Sequence, residues 1–249
     1  MIGVSEWLTD MCRLLERHPD NVGAALFGGF VGTYLMPLKP EDAARKEIPL
    51  SEVLPAPAGG IDTGIKPPEP PIGIGHHIKF PWAPEIKAVV IIPDFEVPTA
   101  KAREVLPAQY PRLDVVSISY IILSSLCQQG ANARQTFNLQ RIALLPVALG
   151  QSPPDPELIY LAMQDKLHQP YRQTLIPGLT EIVESMTPST QPGLLGVCLS
   201  GAGPTILALA TANFNEIAES IIAKFRANNI QCSWRLLELA EGGTQVLRD

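Results

Sequence analysis

The sequence lacks several patterns that mark common classes of protein. Its four cysteines, Cys12, Cys127, Cys198 and Cys232, form no CxxC pair, and no histidine stands at the spacing that a tetrahedral zinc site needs. It also contains no GxSxG or HExxH motif, so the common hydrolase signatures are missing. We therefore expect reduced thiols, no zinc site and no hydrolase of these kinds.

Positive charge is scarce, and residues 1–15 do not show the pattern of a secretory leader. The chain has 19 Lys and Arg against 25 Asp and Glu, a net charge of -6, and no basic run longer than a pair. Nucleic acids and anionic membranes select for basic patches. Residues 1–15 mix Glu6, Asp10 and Arg13 into an amphipathic pattern, without the basic start and apolar stretch of a signal peptide. These features predict no nucleic-acid partner, no membrane contact and a cytoplasmic protein.

Hydrophobic residues and prolines, in contrast, are abundant. Hydrophobic types make up 46% of the 249 residues, which is enough for a packed core. The 25 prolines are about twice the number expected from average usage of roughly 5%. Many of them fall between Pro37 and Pro84, where we predict a linker or an elaborated connection. His76-His77 lies in this stretch, and we interpret it as a solvated loop element.

Apolar periodicity predicts the elements of the first part of the chain. Trp7, Met11, Leu14 and Leu15 recur at helical spacing, and that helix should end at His18-Pro19 because proline disfavours helix in the residue before it. A second, small-residue helix should begin at Asn21. It should give way at Gly28-Gly29 to a β-type run over residues 30–34.

The second part of the chain predicts a longer series of elements. A strand over residues 86–93 is followed by a short helix over 99–106 that Thr99 would cap, and by helices over 137–149, 157–167 and 175–186, with Asp155 capping the middle one. Strands over 194–199 and 205–210, a helix over 214–227 and a strand over 232–239 complete it. This is the order of elements in a ferredoxin-like fold.

Two polar clusters could carry chemistry, and each has a structural alternative. Residues 16–21, ERHPDN, place two carboxylates, an imidazole and a carboxamide around the end of a helix, although such clusters often only satisfy backbone groups. Residues 200–205, SGAGPT, stand between two apolar strands. Without a following Lys-Ser/Thr they are not a Walker loop, so they form either a hairpin turn or an anion-binding nest.

Two arginines, Arg103 and Arg172, each lie on or just beyond a short predicted helix. A guanidinium group can bind a carboxylate with two parallel hydrogen bonds, so a pair of them would suit a substrate carboxylate. The alternative is that both are ordinary surface residues.

Four separated segments together resemble the homoserine kinases of the GHMP kinase family, most closely the fungal form. They are ERHPDNVGAALFGGF (16–30), AREVLP (102–107), MQDKLHQPYRQTLIPG (163–178) and LSGAGPTILAL (199–209), and they occur in the family's order. The resemblance implies an α+β fold, with a remnant of the GHMP kinase N-terminal domain in residues 1–84 and a ferredoxin-like C-terminal domain in residues 85–249.

The resemblance also implies a reaction, in which ATP phosphorylates L-homoserine to O-phospho-L-homoserine in threonine biosynthesis. It assigns His18, Asp20 and Asn21 to the homoserine and γ-phosphate site, and Arg103 and Arg172 to the substrate carboxylate. It assigns Mg²⁺ to Glu16 or Asp10, and homodimerisation is an expectation of the same kind. The third family motif corresponds to Ser200, Gly201, Ala202, Gly203 and Thr205.

Two departures from the family's pattern qualify this expectation. The Gly-Leu-Gly-Ser-Ser loop that would hold ATP is not found in these residues, so we expect weak ATP binding and no turnover by the chain as given. Residues 116–135 interrupt a near-direct join in the family, and we interpret them as a retained intron in preference to a genuine surface insertion.

Two other functions stay open at this point. A non-catalytic amino-acid-binding module would keep both arginines as a carboxylate clamp and would need no ATP loop. A kinase of the same superfamily acting on mevalonate-type or sugar substrates is the third reading. Only the HPDN and HQPYR segments argue against it.

Overall fold

The computed structural model describes residues 20–36, 75–106 and 133–244. These residues belong to two compact units. Unit 1 takes in residues 20–36, 75–80 and 240–244, and unit 2 takes in residues 81–106 and 133–239. The helix predicted around Trp7 to Leu15 and most of the stretch 116–135 lie outside the described residues.

Unit 1 contains one helix and a two-stranded antiparallel sheet: α1 Asp20–Phe27, β1 Phe30–Leu35 and β2 Gly75–Phe80. Gly28 and Gly29 separate α1 from β1, and both have a positive φ, 64° and 79°, which glycine adopts without strain. The predicted change from helix to strand at Gly28-Gly29 is therefore confirmed.

Strand β2 corrects the interpretation of His76-His77 as a solvated loop element. Both residues pair with β1, and their rings stack on aromatic rings of the same unit. The His77 ring lies 3.5 Å from the Phe27 ring between centroids, and the His76 ring lies 5.1 Å from that of Tyr34. The strand was missed because its stability comes from contacts with β1 and α1, and residues 75–80 show little strand character of their own.

Unit 2 contains four strands and the helices that connect them. Their bounds in chain order are β3 Lys87–Pro93, α2 Thr99–Glu104, α3 Ala133–Leu149, α4 Pro156–Ala162, α5 Gln169–Arg172, a 3₁₀ turn Gln173–Leu175, α6 Leu179–Ser185, β4 Leu194–Leu199, β5 Ile206–Ala210, α7 Phe214–Ala227 and β6 Cys232–Leu237.

The four strands of unit 2 form one sheet in the order β4-β5-β3-β6, and every neighbouring pair is antiparallel. Strand, helices, two strands, helix and strand in this spatial order make a ferredoxin-like fold. The predicted α+β fold class is confirmed. Strand β4 lies at one edge of the sheet and β6 at the other.

The core of unit 2 lies between one face of the sheet and α6 and α7. On β3, Val89 and Ile91 point into the core and are fully buried. On α7, Ile217, Ile221 and Phe225 recur at helical spacing and are also fully buried. Burying each side chain of this size contributes about 1.5–3 kcal/mol. The apolar periodicity that predicted α7 therefore marks the face of the helix that packs into the core.

Several predicted helix boundaries in unit 2 are wrong. The helix predicted over 157–167 ends at Ala162, and the one predicted over 175–186 begins only at Leu179. Ile176 is extended (φ −128°, ψ 94°) before Pro177, and Gly178 has φ 84°, so the chain cannot continue as one helix. Helix α2 begins at Thr99 itself, with Pro98 in the N-cap position, so Thr99 is not the cap.

Two further predictions concern α3 and α4. Asp155 caps α4 as predicted, since its Oδ1 accepts the Leu158 N–H at 3.0 Å. Helix α3 begins at Ala133, earlier than residue 137, so the last residues of the stretch 116–135 are its first turn. Among the helices of the described residues, none has the length and apolar character needed to cross a membrane.

We expect Phe225→Ala to lower the free energy of unfolding by about 3–5 kcal/mol, because it leaves a cavity beneath the sheet. Urea unfolding followed by circular dichroism measures the change. Ile142→Ala is the matched control, since Ile142 is 70% exposed and its truncation should cost less than about 0.5 kcal/mol. Equal losses in the two variants would contradict this assignment of the core.

Candidate functional site

The segment between α4 and α5 is a turn organised by one carboxylate, that of Asp165. Its Oδ1 accepts hydrogen bonds from Asn138 Nδ2 at 2.5 Å and from the Leu167 N–H at 2.7 Å. Its Oδ2 accepts the N–H groups of His168 at 2.9 Å and Gln169 at 2.7 Å. The carboxylate therefore satisfies the free N–H groups at the start of α5, which explains why the predicted helix 157–167 stops early.

Burial raises the pKa of Asp165, but the hydrogen bonds from Gln169, Leu167, Asn138 and His168 stabilise the charged form and outweigh it. The pKa of Asp165 consequently lies below its ordinary value. The carboxylate is ionised near neutral pH and lies in a half-buried position within unit 2.

Asn138, near the start of α3, connects that helix to the same turn. Its Nδ2 binds Asp165 and its Oδ1 accepts the Lys166 N–H at 3.0 Å. The neighbouring Phe137 ring has two cations over it, the Arg141 guanidinium carbon 3.1 Å and Lys166 Nζ 4.0 Å from its centroid. Helix α3 and the turn thus form one connected support.

Helix α5 is joined to the edge strand β4 through Gln169, which is only 9% exposed. Gln169 Oε1 accepts the Leu199 N–H at 2.9 Å. An amide on the outer side of an edge strand has no strand partner and needs another acceptor when it is buried. Gln169 supplies that acceptor, so α5 is held against the end of β4.

Arg172, one turn after Gln169 on the same face of α5, reaches the loop that follows β4. Its Nη1 donates to the Gly201 carbonyl at 2.8 Å. Its Nε is buried and has no hydrogen-bond partner within the described residues. A buried guanidinium N–H without an acceptor costs free energy, so this position favours an anionic or carbonyl ligand.

The loop of residues 200–205 joins β4 to β5 as a hairpin connection. The Ser200 N–H donates to the Thr205 carbonyl at 2.9 Å, and the Gly203 N–H donates to the Ser200 carbonyl at 3.0 Å. Within the described residues, the N–H groups of Gly201 and Ala202 donate to no backbone acceptor. The loop therefore offers a carbonyl to Arg172 and two amides to another group.

The two glycines of this loop face different surroundings. A Cβ on Gly203, at φ 82°, would lie 2.8 Å from Ile176 Cδ1, so packing as well as backbone conformation requires glycine there. A Cβ on Gly201, at φ 58°, would meet no atom of the described residues within 4 Å. Gly203 is fixed by the core, whereas Gly201 faces open space beside Arg172.

Only some of the site residues predicted from the sequence contact one another in the structure. Arg172 contacts Gly201 in the third-motif loop, whose other members are Ser200, Ala202, Gly203 and Thr205. Arg103 lies exposed on α2. Asn21 is exposed on the first turn of α1 in unit 1, Asp20 is the first residue of that helix, and His18, Glu16 and Asp10 lie outside the described residues.

Three residues of this arrangement were not singled out from the sequence: Asn138, Asp165 and Gln169. For Asp165 a signal exists, because an Asp a few residues ahead of a proline in the first turn of a helix is typical of a helix start. That signal was overlooked when residues 157–167 were predicted to be one helix. Gln169 and Asn138 have no local signal, since their partners lie far away in the sequence.

Comparison with known proteins agrees with this fold. Residues 148–227 match the family described as GHMP kinases C terminal. The homoserine kinase of Saccharomyces cerevisiae is 55% identical over 96% of this chain and 61% of its own length. That of Picosynechococcus is 30% identical over 94% of this chain and 70% of its own length. The crystal structure of homoserine kinase from Cytophaga hutchinsonii has a TM-score of 0.50 at 27% identity, over 68% of this chain and 46% of that one.

The ferredoxin-like sheet and the hairpin loop beside α5 make unit 2 a C-terminal domain of the GHMP kinase type. The chain belongs to the homoserine kinase family. It spans about three-fifths of the length of the yeast relative, 61%. The resemblance to the fungal form seen in the sequence is thereby confirmed.

We expect Gln169→Leu to destabilise unit 2 by about 1–3 kcal/mol, because it leaves the buried Leu199 N–H without an acceptor. Urea unfolding measures the loss. Gln173→Leu is the control, since Gln173 also accepts one hydrogen bond, from Thr180 Oγ1, but at an exposed position. If the two variants lost the same stability, the Gln169 contact would not hold α5 to β4.

We expect the stabilisation contributed by Asp165 to depend on pH. Because its folded pKa is depressed, the contribution is complete above the unfolded pKa of about 4 and is lost as pH falls through the folded pKa. The difference in unfolding free energy between the native chain and Asp165→Asn should therefore be constant from about pH 7 to 5 and shrink below about pH 4.

Both proteins retain the neighbouring titratable groups, His168, whose Nδ1 lies 3.9 Å from Asp165 Oδ1, and Cys198. The Cys198 pKa is raised to about 12 by desolvation and by the Asp165 charge, so its thiol stays neutral over this range. A difference that grew as pH fell would contradict the lowered pKa of Asp165.

Proposed function

We propose that this chain takes part in the phosphorylation of L-homoserine, with MgATP as the phosphoryl donor and O-phospho-L-homoserine as the product. The support is its membership of the homoserine kinase family and its 55% identity to the yeast enzyme of that name. The γ-phosphoryl group would pass to the substrate hydroxyl. A transition state of this kind is loose, so the protein acts mainly by positioning groups and stabilising charge.

The proposal rests on the hydrogen bonding of the Arg172 guanidinium. One side of its guanidinium is held by the Gly201 carbonyl at 2.8 Å, while its buried Nε has no acceptor among the described residues. A substrate carboxylate is the planar, two-oxygen acceptor that suits this geometry. Arg172 would therefore fix the carboxylate of homoserine, and Arg103 would supply the second guanidinium from α2.

The N–H groups of Gly201 and Ala202, which donate to no backbone acceptor among the described residues, give the loop a second possible contact with the ligand. They would hydrogen-bond to the bound substrate or to a phosphate oxygen, as backbone amides in glycine-rich turns do. The open space at the Cβ position of Gly201 leaves room for such an approach.

His18, Asp20 and Asn21 are proposed to line the homoserine and γ-phosphate site. Asn21 would orient the hydroxyl or a phosphate oxygen. Asp10 or Glu16 would provide the carboxylate for Mg²⁺. No group of three metal-ligating side chains occurs among the residues that the structure describes, and we derive no step through the metal ion.

We expect Arg172→Ala to weaken binding of L-homoserine by about 10- to 100-fold, the equivalent of the roughly 1.5–3 kcal/mol of a hydrogen bond to a charged group. Calorimetry with L-homoserine and with L-homoserine amide measures the effect. The native chain should prefer the carboxylate form, and Arg172→Ala should abolish that preference. In an active preparation the same loss should raise KM with little change in kcat.

Arg226→Ala is the control, because Arg226 lies exposed in the last turn of α7 and should leave the preference unchanged. If Arg172→Ala bound both compounds as the native chain does, the assignment of the carboxylate to Arg172 would be wrong.

A non-catalytic amino-acid-binding module is the second candidate function. It is favoured by the fact that Arg172, its supporting residues and the loop all belong to one compact unit. ³¹P NMR of the chain with MgATP and L-homoserine distinguishes the two. Formation of O-phosphohomoserine supports the kinase, whereas homoserine binding with no phosphoryl transfer supports the binding module.

A further inference from the structure

We propose that Asp165 is a positioning residue for substrate recognition, because by fixing the start of α5 it holds the Arg172 guanidinium beside the loop of residues 200–205, where it would meet the carboxylate of the ligand. This inference rests on the proposed function for the identity of the ligand. The positioning itself rests on the contacts of unit 2 alone.

The first step of the argument is the length of α5, which has only four residues. A helix of one turn has no stability of its own in water, because too few hydrogen bonds form for the backbone freedom lost. The orientation of Arg172 at its last residue must come from contacts outside the helix.

The second step is where those contacts lie. The carboxylate of Asp165 accepts the N–H groups of His168 and Gln169 and so fixes the first turn of α5. Gln169 then binds the Leu199 N–H, and Arg172 binds the Gly201 carbonyl. Asp165 thus determines the start of a helix whose other two contacts meet the end of β4 and the loop after it.

The third step concerns the support of Asp165 itself. Asn138 Nδ2 binds the same carboxylate oxygen that accepts the Leu167 N–H. All four hydrogen bonds to Asp165 come from N–H donors, so the carboxylate must stay ionised and acceptor-only to hold the arrangement. An asparagine in its place would turn an NH₂ group toward two of the donors.

The test compares Asp165→Asn with Asp155→Asn in the full chain. Asp155 is a matched control, since it also caps a short helix of unit 2 and the charge change is the same, but its carboxylate accepts an N–H of α4, that of Leu158. The first measurement is solvent exchange of the Arg172 Nε–H by ¹H–¹⁵N NMR, with the signal assigned by its loss in Arg172→Lys. It requires no ligand.

We expect the Arg172 Nε–H, buried in the native chain, to exchange at least about tenfold faster in Asp165→Asn and at the native rate in Asp155→Asn. The second measurement is the preference for L-homoserine over L-homoserine amide, which should fall by about tenfold in Asp165→Asn only, the equivalent of a weakened hydrogen bond to a charged group. A role in stability alone would leave the ligand preference of a folded variant unchanged.

Unchanged exchange and unchanged preference in folded Asp165→Asn would overturn the inference. If the native chain fails to bind homoserine, the proposed function fails, and the exchange measurement still decides the positioning. If Asp165→Asn does not fold, Asn138→Ala takes its place, because it removes one of the hydrogen bonds to Asp165 and keeps the backbone ones. It should then shift exchange in the same direction by a smaller factor, and no shift would overturn the inference.

Discussion

The hydrogen bond from the Leu199 N–H to Gln169 Oε1 is the contact on which the site depends. Strand β4 is an edge strand, and its last buried amide must find an acceptor outside the sheet. The acceptor comes from a helix of one turn, so satisfying the strand also brings α5 beside the loop 200–205. The Arg172 contact with Gly201 then follows from helical spacing, since residues three apart share a face. The same short helix therefore satisfies the edge strand and places Arg172 beside the loop.

This arrangement also explains why the loop can keep free amides. Gly203 is held by Ile176 and Leu199 below it, while Ser200 and Thr205 close the turn. The remaining N–H groups, on Gly201 and Ala202, have no backbone acceptor in the part of the chain that the structure describes, yet the loop is closed without them. A rigid loop with a few available donors suits ligand binding, because groups that are already ordered lose less conformational entropy when a ligand binds.

Much of the fold followed from periodicity, and the failures have two physical causes. Both ends of helix α7 were predicted correctly, because Ile217, Ile221 and Phe225 recur at helical spacing on the face that is buried in the core. The predicted helix over 157–167 failed because the Asp165 side chain competes for backbone N–H groups. Strand β2 was not predicted because β1, the strand with which it pairs, is distant in the sequence. At the site, family likeness supplied Arg172 and the loop, whereas Gln169 and Asn138 act through contacts that no local pattern reveals.

The two arginines that family likeness assigns to the substrate carboxylate differ in burial and in hydrogen bonding. Arg172 is half-buried and tied to the Gly201 carbonyl, so its guanidinium has already lost most of its rotamer freedom. Arg103 is exposed on α2 and retains that freedom, which costs up to about 2 kcal/mol when a long side chain is ordered. In the proposed binding mode, Arg172 therefore sets the orientation of the carboxylate, and Arg103 closes on it afterwards. In that binding mode, affinity would depend on both residues, but selectivity for the position of the carboxylate would depend on Arg172, whose geometry exists before the ligand arrives.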